Sequence, residues 1–254
     1  MIFRQLYDPV SSTYTYLLAE RQGGEAMIID PVKDRVEQYL QLVQELDLKL
    51  VMALDTHIHA DHVTGIGSLR SAVDCATAMG EQSRAECVTV RFREGETLKA
   101  DGVRIEVLYT PGHTDDSYSF AMKDRVFTGD TLLIRGTGRT DFQNGDAGAQ
   151  YDSLFNKLLT LPEDTLVYPA HDYAGQTCSS IGEEKRHNPR LRVKSRQAYI
   201  EQMNALDLDP PRLIDVAVPA NRACGLTMAA YADARGKSTS VTLRGRPRSA
   251  HAQG

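Results

Sequence analysis

The segment Thr56-His57-Ile58-His59-Ala60-Asp61-His62 places four groups of metal-ligand type within six positions, directly after an apolar run from Leu50 to Leu54. Imidazole and carboxylate together suit borderline metals such as zinc and iron, whereas calcium and magnesium demand an oxygen-dominated set. If the backbone stays extended at His57, then His57 and His59 face the same way by the two-residue period. A turn at Ala60 then brings Asp61 and His62 around to the other side. A lone histidine is more often a satisfied core or surface residue. That reading fails for three of the chain's seven histidines gathered between positions 57 and 62. Gly65 and Gly67 read either as turn punctuation where the next helix begins or as close backbone approach beneath the site.

The same grammar recurs downstream. Val103 to Leu108 leads through Thr110-Pro111-Gly112 to His113, with Asp101-Gly102 as the hairpin turn before it. Arg125 to Thr128 leads through Gly129 to Asp130, and Leu166 to Tyr168 leads through Pro169-Ala170 to His171. Short apolar runs that stop at polar residues are how buried strands deliver side chains to a sheet edge. Around them, Thr13 to Leu18 and Ala26 to Ile29 read as strands. Amphipathic helices are expected over Asp34 to Asp47, around Tyr151 to Leu159, and from about Lys194 to Leu206, where Asp209-Pro210-Pro211 breaks the last.

The chain has 254 residues with a net charge of −5, which disfavours a nucleic-acid binder. No continuous apolar stretch approaches the roughly 18 residues of a membrane span. The opening MIFRQLYDPVSS lacks the patterns of a secretory or transit peptide, so a cytoplasmic location is expected. Cys75, Cys87, Cys178 and Cys224 form no C-x-x-C pair and are expected as free, mostly buried thiols. One domain is expected over residues 1–235, including a helical segment from about 188, with 236–254 a flexible solvated tail carrying Arg244, Arg246 and Arg248.

The ordered set of the His57–His62 motif, His113, Asp130 and His171 resembles the metallo-β-lactamase superfamily, over residues 1 to about 230. The resemblance implies an α/β fold, an αββα sandwich with metals at one edge of two facing sheets, here with a short C-terminal helical extension. Across the superfamily it implies two metal sites: His57, His59 and His113 on one, Asp61, His62 and His171 on the other, with Asp130 shared.

The branch is read from other residues. The run Thr131 to Gln143, containing Gly138-Arg139-Thr140-Asp141-Phe142-Gln143, is similar to that of the persulfide dioxygenase (sulfur dioxygenase) family. So are His171-Asp172-Tyr173, Asn188-Pro189-Arg190, Val218-Pro219-Ala220-Asn221 and Cys224-Gly225. This resemblance implies an enzyme that oxidises glutathione persulfide with O2 to sulfite and glutathione. It implies one Fe(II) per chain, held by His57, His113 and Asp130. His59, Asp61, His62 and His171 then stand beside the metal as hydrogen-bonding catalytic groups. Two histidines and one carboxylate leave positions open on iron; zinc offers no redox chemistry.

Tyr173 is expected to donate a hydrogen bond to the persulfide or else to pack as an aromatic. Arg139 and Arg190 are the candidates to grip glutathione carboxylates, against ordinary salt bridges. Cys224 is expected as a buried structural thiol. A homodimer is common in the family, and any persulfide-generating enzyme is a separate chain. The nearest alternative is glyoxalase II, a thioester hydrolase with the same ligand set. It is disfavoured by the Gly138–Gln143 stretch and by the lack of a long lysine-bearing helical C-terminal region. A non-catalytic metal-binding module is the other alternative, disfavoured by seven convergent ligands.

Overall fold

A computed structural model describes residues 1–211 and 213–226; the expected tail, with its three arginines, lies outside the described residues. The first half of the chain runs β1 (Ile2–Asp8), β2 (Thr13–Ala19), β3 (Glu25–Ile29), α1 (Val36–Glu45), β4 (Lys49–Leu54), α2 (Ile66–Val73), β5 (Ala76–Gly80) and β6 (Val90–Phe92). These six strands form one sheet in chain order, antiparallel at β1-β2-β3 and parallel from β3 to β6. The second half runs β7 (Thr97–Ala100), β8 (Val103–Tyr109), β9 (Tyr118–Ala121), β10 (Arg125–Gly129), α3 (Ala147–Asn156), β11 (Leu166–Pro169), β12 (Ser179–Ser180), α4 (Ile181–His187), α5 (Arg196–Asn204) and α6 (Ile214–Arg222). Its sheet has the order β12-β11-β10-β9-β8-β7, with β10 and β11 parallel.

Strand alternation sorts the core into three layers. Tyr16, Leu18, Met27, Ile29 and Leu54 turn inward to meet Val103, Ile105, Phe120 and Phe127 between the sheets. The opposite side chains of the same strands, Leu17, Ile28 and Ala53, pack under Tyr39 and Val43 of α1 and Ile66 and Leu69 of α2. Val126 and Val167 do the same beneath Leu154 of α3, Ile181 of α4 and Tyr199 of α5. Helices α1 and α2, with α6 beside them, cover one sheet and α3, α4 and α5 the other, which is the αββα sandwich. Strands buried on both faces read as continuous apolar runs rather than alternating ones; β3 follows that rule from Ala26 to Ile29, while β2, buried throughout, keeps Thr13 and Thr15.

The expected helix over 34–47 resolves into a single tight turn at Lys33–Arg35 followed by α1, and the expected 194–206 helix is α5. The Asp101-Gly102 turn joins β7 to β8 as an antiparallel hairpin, with Asp101 at φ 45°. At one edge the two sheets are stitched together. The Tyr14 amide donates to the Ala170 carbonyl (2.7 Å), and the Tyr118 amide to the Thr56 carbonyl (2.9 Å). These bonds bring the ends of β4, β10 and β11 to a common rim.

The cysteines depart from expectation. Cys87, in the connection between β5 and β6, is disulfide-bonded to Cys224, just past α6. Cys75 is a buried free thiol and Cys178 an exposed one. The bonded pair is 137 residues apart, so only the fold, by laying α6 against the first sheet's helix side, brings the two together. Gly67 marks the closeness of that approach: a Cβ there would lie 2.5 Å from the Cys224 carbonyl oxygen. Of the two readings of this glycine, close backbone approach is the one observed.

Candidate metal centre

Every strand end expected to deliver a ligand does so at the stitched rim. Donor atoms of His57, His113 and Asp130 all lie within 4.8 Å of one another, as do those of His59, Asp61 and His62. The His57 and His59 rings are 4.2 Å apart between centroids, those of His59 and His62 4.3 Å, and those of His57 and His113 5.0 Å. His171 Nε2 stands 3.5 Å from an Asp61 oxygen and 3.7 Å from an Asp130 oxygen. Thus all seven expected groups converge. The backbone bends at Thr56 and His57 instead of continuing extended, yet His57 and His59 still share a face.

Each ring is aimed by a partner on its outer nitrogen. His57 Nδ1 meets Thr56 Oγ1 at 3.0 Å, and His113 Nδ1 donates to the Arg139 carbonyl at 2.7 Å. His171 Nδ1 donates to the Ser12 carbonyl at 3.2 Å. These contacts turn the Nε2 atoms inward, since one ring nitrogen's bond sets what the other can do. Gly138 permits the His113 arrangement, because a Cβ there would meet the His113 Nδ1 at 2.9 Å. His59 is oriented by Asp30, at the end of β3, whose Oδ1 is 3.1 Å from its Nε2. Asp30 also accepts from the Thr56 amide (2.7 Å) and hydroxyl (3.0 Å).

Asp30 is the functional residue that reading along the chain missed. Its signal was present: Ile28-Ile29-Asp30 is another apolar run that stops at a carboxylate.

Burial and charge divide the groups. Burial, with nearby imidazoles, holds His57 and His59 well below the ordinary histidine range, so both are neutral donors. Burial opposes charge on Asp61 too, but His171 and His62 outweigh it and hold that carboxyl well below its usual range. Burial likewise disfavours a charged His171, and Asp130 and Asp61 together overcome it, pushing the ring up to about 10. Burial raises Asp55 well above the carboxylate range, reinforced by neighbouring Asp30.

Three buried atoms of the cluster, His59 Nδ1, His62 Nε2 and Asp130 Oδ1, have no hydrogen-bond partner among the described residues. Buried polar atoms are rarely left so. Bare imidazole nitrogens and a bare carboxylate oxygen within one cluster of converging donors are what a bound transition metal uses, so the donor set fits a metal ion.

The cluster floors a cleft of about 700 Å³ walled by Val10, Ser11 and Ser12 on one side and Leu208, Pro211 and Leu213 on the other. Tyr173 stands at its mouth, 76% exposed, with its ring parallel to that of His171. Arg139 also lines the cleft, but its guanidinium is engaged. It pairs with both Asp141 oxygens (2.7 and 2.8 Å), donates to the carbonyls of Leu208 (3.1 Å) and Asp209 (2.6 Å), and lies over the Phe142 ring. Of its five N–H groups one is left. Arg190 is not in the cleft lining; its guanidinium rests against Met203 Sδ at 3.3 Å, in the outer helical layer. Cys224 is buried as expected, in a disulfide rather than as a thiol.

The family model described as the metallo-beta-lactamase superfamily matches residues 8–171. The chain is 45% identical over 229 residues to the persulfide dioxygenase ETHE1 of Mus musculus, covering 89% of each chain. It is 44% identical, with the same coverage, to that of Homo sapiens. Among solved structures, that of ETHE1 from Myxococcus xanthus superposes with a TM-score of 0.87 at 54% identity, covering 89% of this chain and all of that one.

Proposed function

Because the chain belongs to the metallo-β-lactamase superfamily and, within it, to the persulfide dioxygenases, we propose that it oxidises glutathione persulfide at one Fe(II) held by His57, His113 and Asp130. The reaction is GSSH + O2 + H2O → GSH + SO3²⁻ + 2 H⁺, in which the outer sulfur surrenders the electrons that O2 accepts. Fe(II), when bound, supplies redox chemistry towards O2 and a sulfur nucleophile, which zinc lacks.

The observation that carries this reading is the set of partners around the three proposed ligands. His57 and His113 lean on a hydroxyl and a carbonyl, which fix their tautomers without spending their inner nitrogens. Asp130 keeps Oδ1 bare. Asp61, by contrast, spends an oxygen on His62 Nδ1 at 2.8 Å and on Thr13 Oγ1 at 3.1 Å. On the resemblance to the persulfide dioxygenases, Asp61, His62, His59 and His171 act beside the iron, holding protons and orienting what enters the cleft.

Tyr173 donates its hydroxyl to the bound persulfide from the cleft mouth. Arg139 contributes its remaining N–H to a glutathione carboxylate while its other donors hold the wall at Leu208 and Asp209. Arg190, outside the lining, is left out of the proposal. The apolar side chains Val10, Leu208 and Leu213 limit water around the reacting sulfur. Among the described residues no helix is long and apolar enough to cross a membrane. The reading keeps the protein in the cytoplasm, as a homodimer supplied by a separate persulfide-generating enzyme.

The test is turnover by the purified holoenzyme. With glutathione persulfide it should consume O2 and form sulfite in a one-to-one ratio. Rapid hydrolysis of a glutathione thioester without O2 uptake would instead identify the hydrolase of the same ligand set.

A further inference from the structure

One buried side chain far from the ligands in sequence holds their loop in place. Asn221, on the last turn of α6 and 1% exposed, donates from Nδ2 to the carbonyls of His59 (2.9 Å) and His62 (2.8 Å). Its Oδ1 accepts from the Thr64 amide at 2.8 Å. A single amide thus satisfies three backbone groups of the segment that carries four of the seven converging ligands. Left unpaired in this buried place, each group would carry a desolvation penalty.

The helix that presents Asn221 has a thin hold of its own. Of its nine residues only Ala217 and Asn221 are buried, Pro219 lies inside it, and its last residue, Arg222, accepts from the Glu86 amide at 3.2 Å. The stretch just beyond supplies the fastening. The Gly67 amide donates to the Cys224 carbonyl at 3.2 Å, Lys33 Nζ donates to the Gly225 carbonyl, and Cys224 is bonded to Cys87.

We propose that Asn221 is a positioning residue for the metal-ligand loop and that the Cys87–Cys224 disulfide, by anchoring α6, makes its hold dependent on redox state. Two equivalents of a low-molecular-weight thiol open the bond. The first thiolate attacks one sulfur, giving a mixed disulfide and releasing the other cysteine, which takes up a proton. The second thiolate displaces the remaining cysteine, leaving two protein thiols and RSSR, so the two electrons come from the added thiols. Asn221's role does not depend on which metal or substrate the cluster takes.

The experiment loads the full-length protein with Co(II) and follows its electronic spectrum and the rate of metal loss to excess EDTA, with the disulfide state read by alkylation and mass spectrometry. Asn221→Ala should alter the Co(II) spectrum and speed metal loss by roughly 10–100-fold, the range for outer partners of metal ligands. If that variant does not fold, Asn221→Asp, which keeps the shape and acceptor but loses both N–H donors, carries the same test. Cys87→Ser should speed metal loss several-fold and make it indifferent to added thiol. Wild-type protein reduced with dithiothreitol should match Cys87→Ser and recover on reoxidation. Cys178→Ser should respond to thiol as wild type does. Unchanged metal loss in reduced wild type or in Cys87→Ser overturns the redox dependence. A lowered Tm with unchanged spectrum and metal loss in the Asn221 variants overturns the positioning role.

Discussion

The two halves of the ligand cluster are built differently from the same residue types. His57 and His113 are aimed by groups outside the cluster, a threonine hydroxyl and a backbone carbonyl, which carry no charge. Asp61 and His62 are aimed largely by each other, at 2.8 Å, and Asp61 also stands 3.5 Å from His171, whose outer nitrogen donates to the Ser12 carbonyl. The difference teaches which groups are free to meet a metal. Asp61 is bonded to an imidazole at 2.8 Å, whereas the imidazoles nearest Asp130 stand at 3.5 Å (His113) and 3.7 Å (His171) and leave its Oδ1 bare. His59 and His62 each retain one bare nitrogen, so the second half remains chemically open, and experiment can separate the halves.

The largest effect separates them directly. His57→Ala, His113→Ala or Asp130→Ala should weaken iron binding by a hundredfold or more, beyond the roughly 10–100-fold typical of outer partners, and abolish O2 uptake. His171→Ala should retain most of the iron, as read by elemental analysis, while losing activity. Equal iron loss in all four variants would erase the distinction.

Asp30→Asn tests the partner that serves both sides, through Thr56 to His57 and directly to His59. It should weaken metal binding by roughly 10–100-fold, measured by chelator competition, and leave the far-ultraviolet circular dichroism unchanged.

A smaller effect belongs to the protein stripped of metal. His171 has a folded pKa of about 10 and an unfolded value of about 6.5. Its contribution to stability is therefore complete below about pH 6.5 and is lost as pH rises towards 10. Thermal melts of the chelated protein should show that decline, and His171→Gln should flatten it. The depressed Asp61 carboxyl works in the opposite direction, its stabilisation being lost as pH falls below the ordinary carboxylate range. The smallest effect is expected at the rim: Tyr173→Phe should lower kcat/KM about 2- to 10-fold, the worth of one hydrogen bond, with iron content unchanged.

Much of this arrangement was legible along the chain because buried strands announce their ends. The runs before His57, His113, Asp130 and His171 are apolar and stop abruptly, so the ligands could be placed at a sheet edge before any fold was known. Asp30 obeys the same rule, but it stands 27 residues ahead of His57 with no second ligand beside it. What gives it a role is the parallel pairing of β3 with β4, which sets the two strand ends side by side.

Arg139 illustrates a different limit. Its charge was evident, but its partners Leu208 and Asp209 lie some seventy residues on and offer backbone carbonyls, which have no sequence signature. The Cys87–Cys224 bond was hidden for the same reason, since only the docking of α6 joins its ends.

The central claim is that the His57, His113 and Asp130 half alone holds the working metal, and elemental analysis of the purified active protein, beside an oxygen electrode, tests it most directly. The account predicts about one iron per chain, the number a single two-histidine, one-carboxylate site takes, with O2 uptake that scales with iron content. Two zinc ions per chain, with full activity and no dependence on iron, would contradict it.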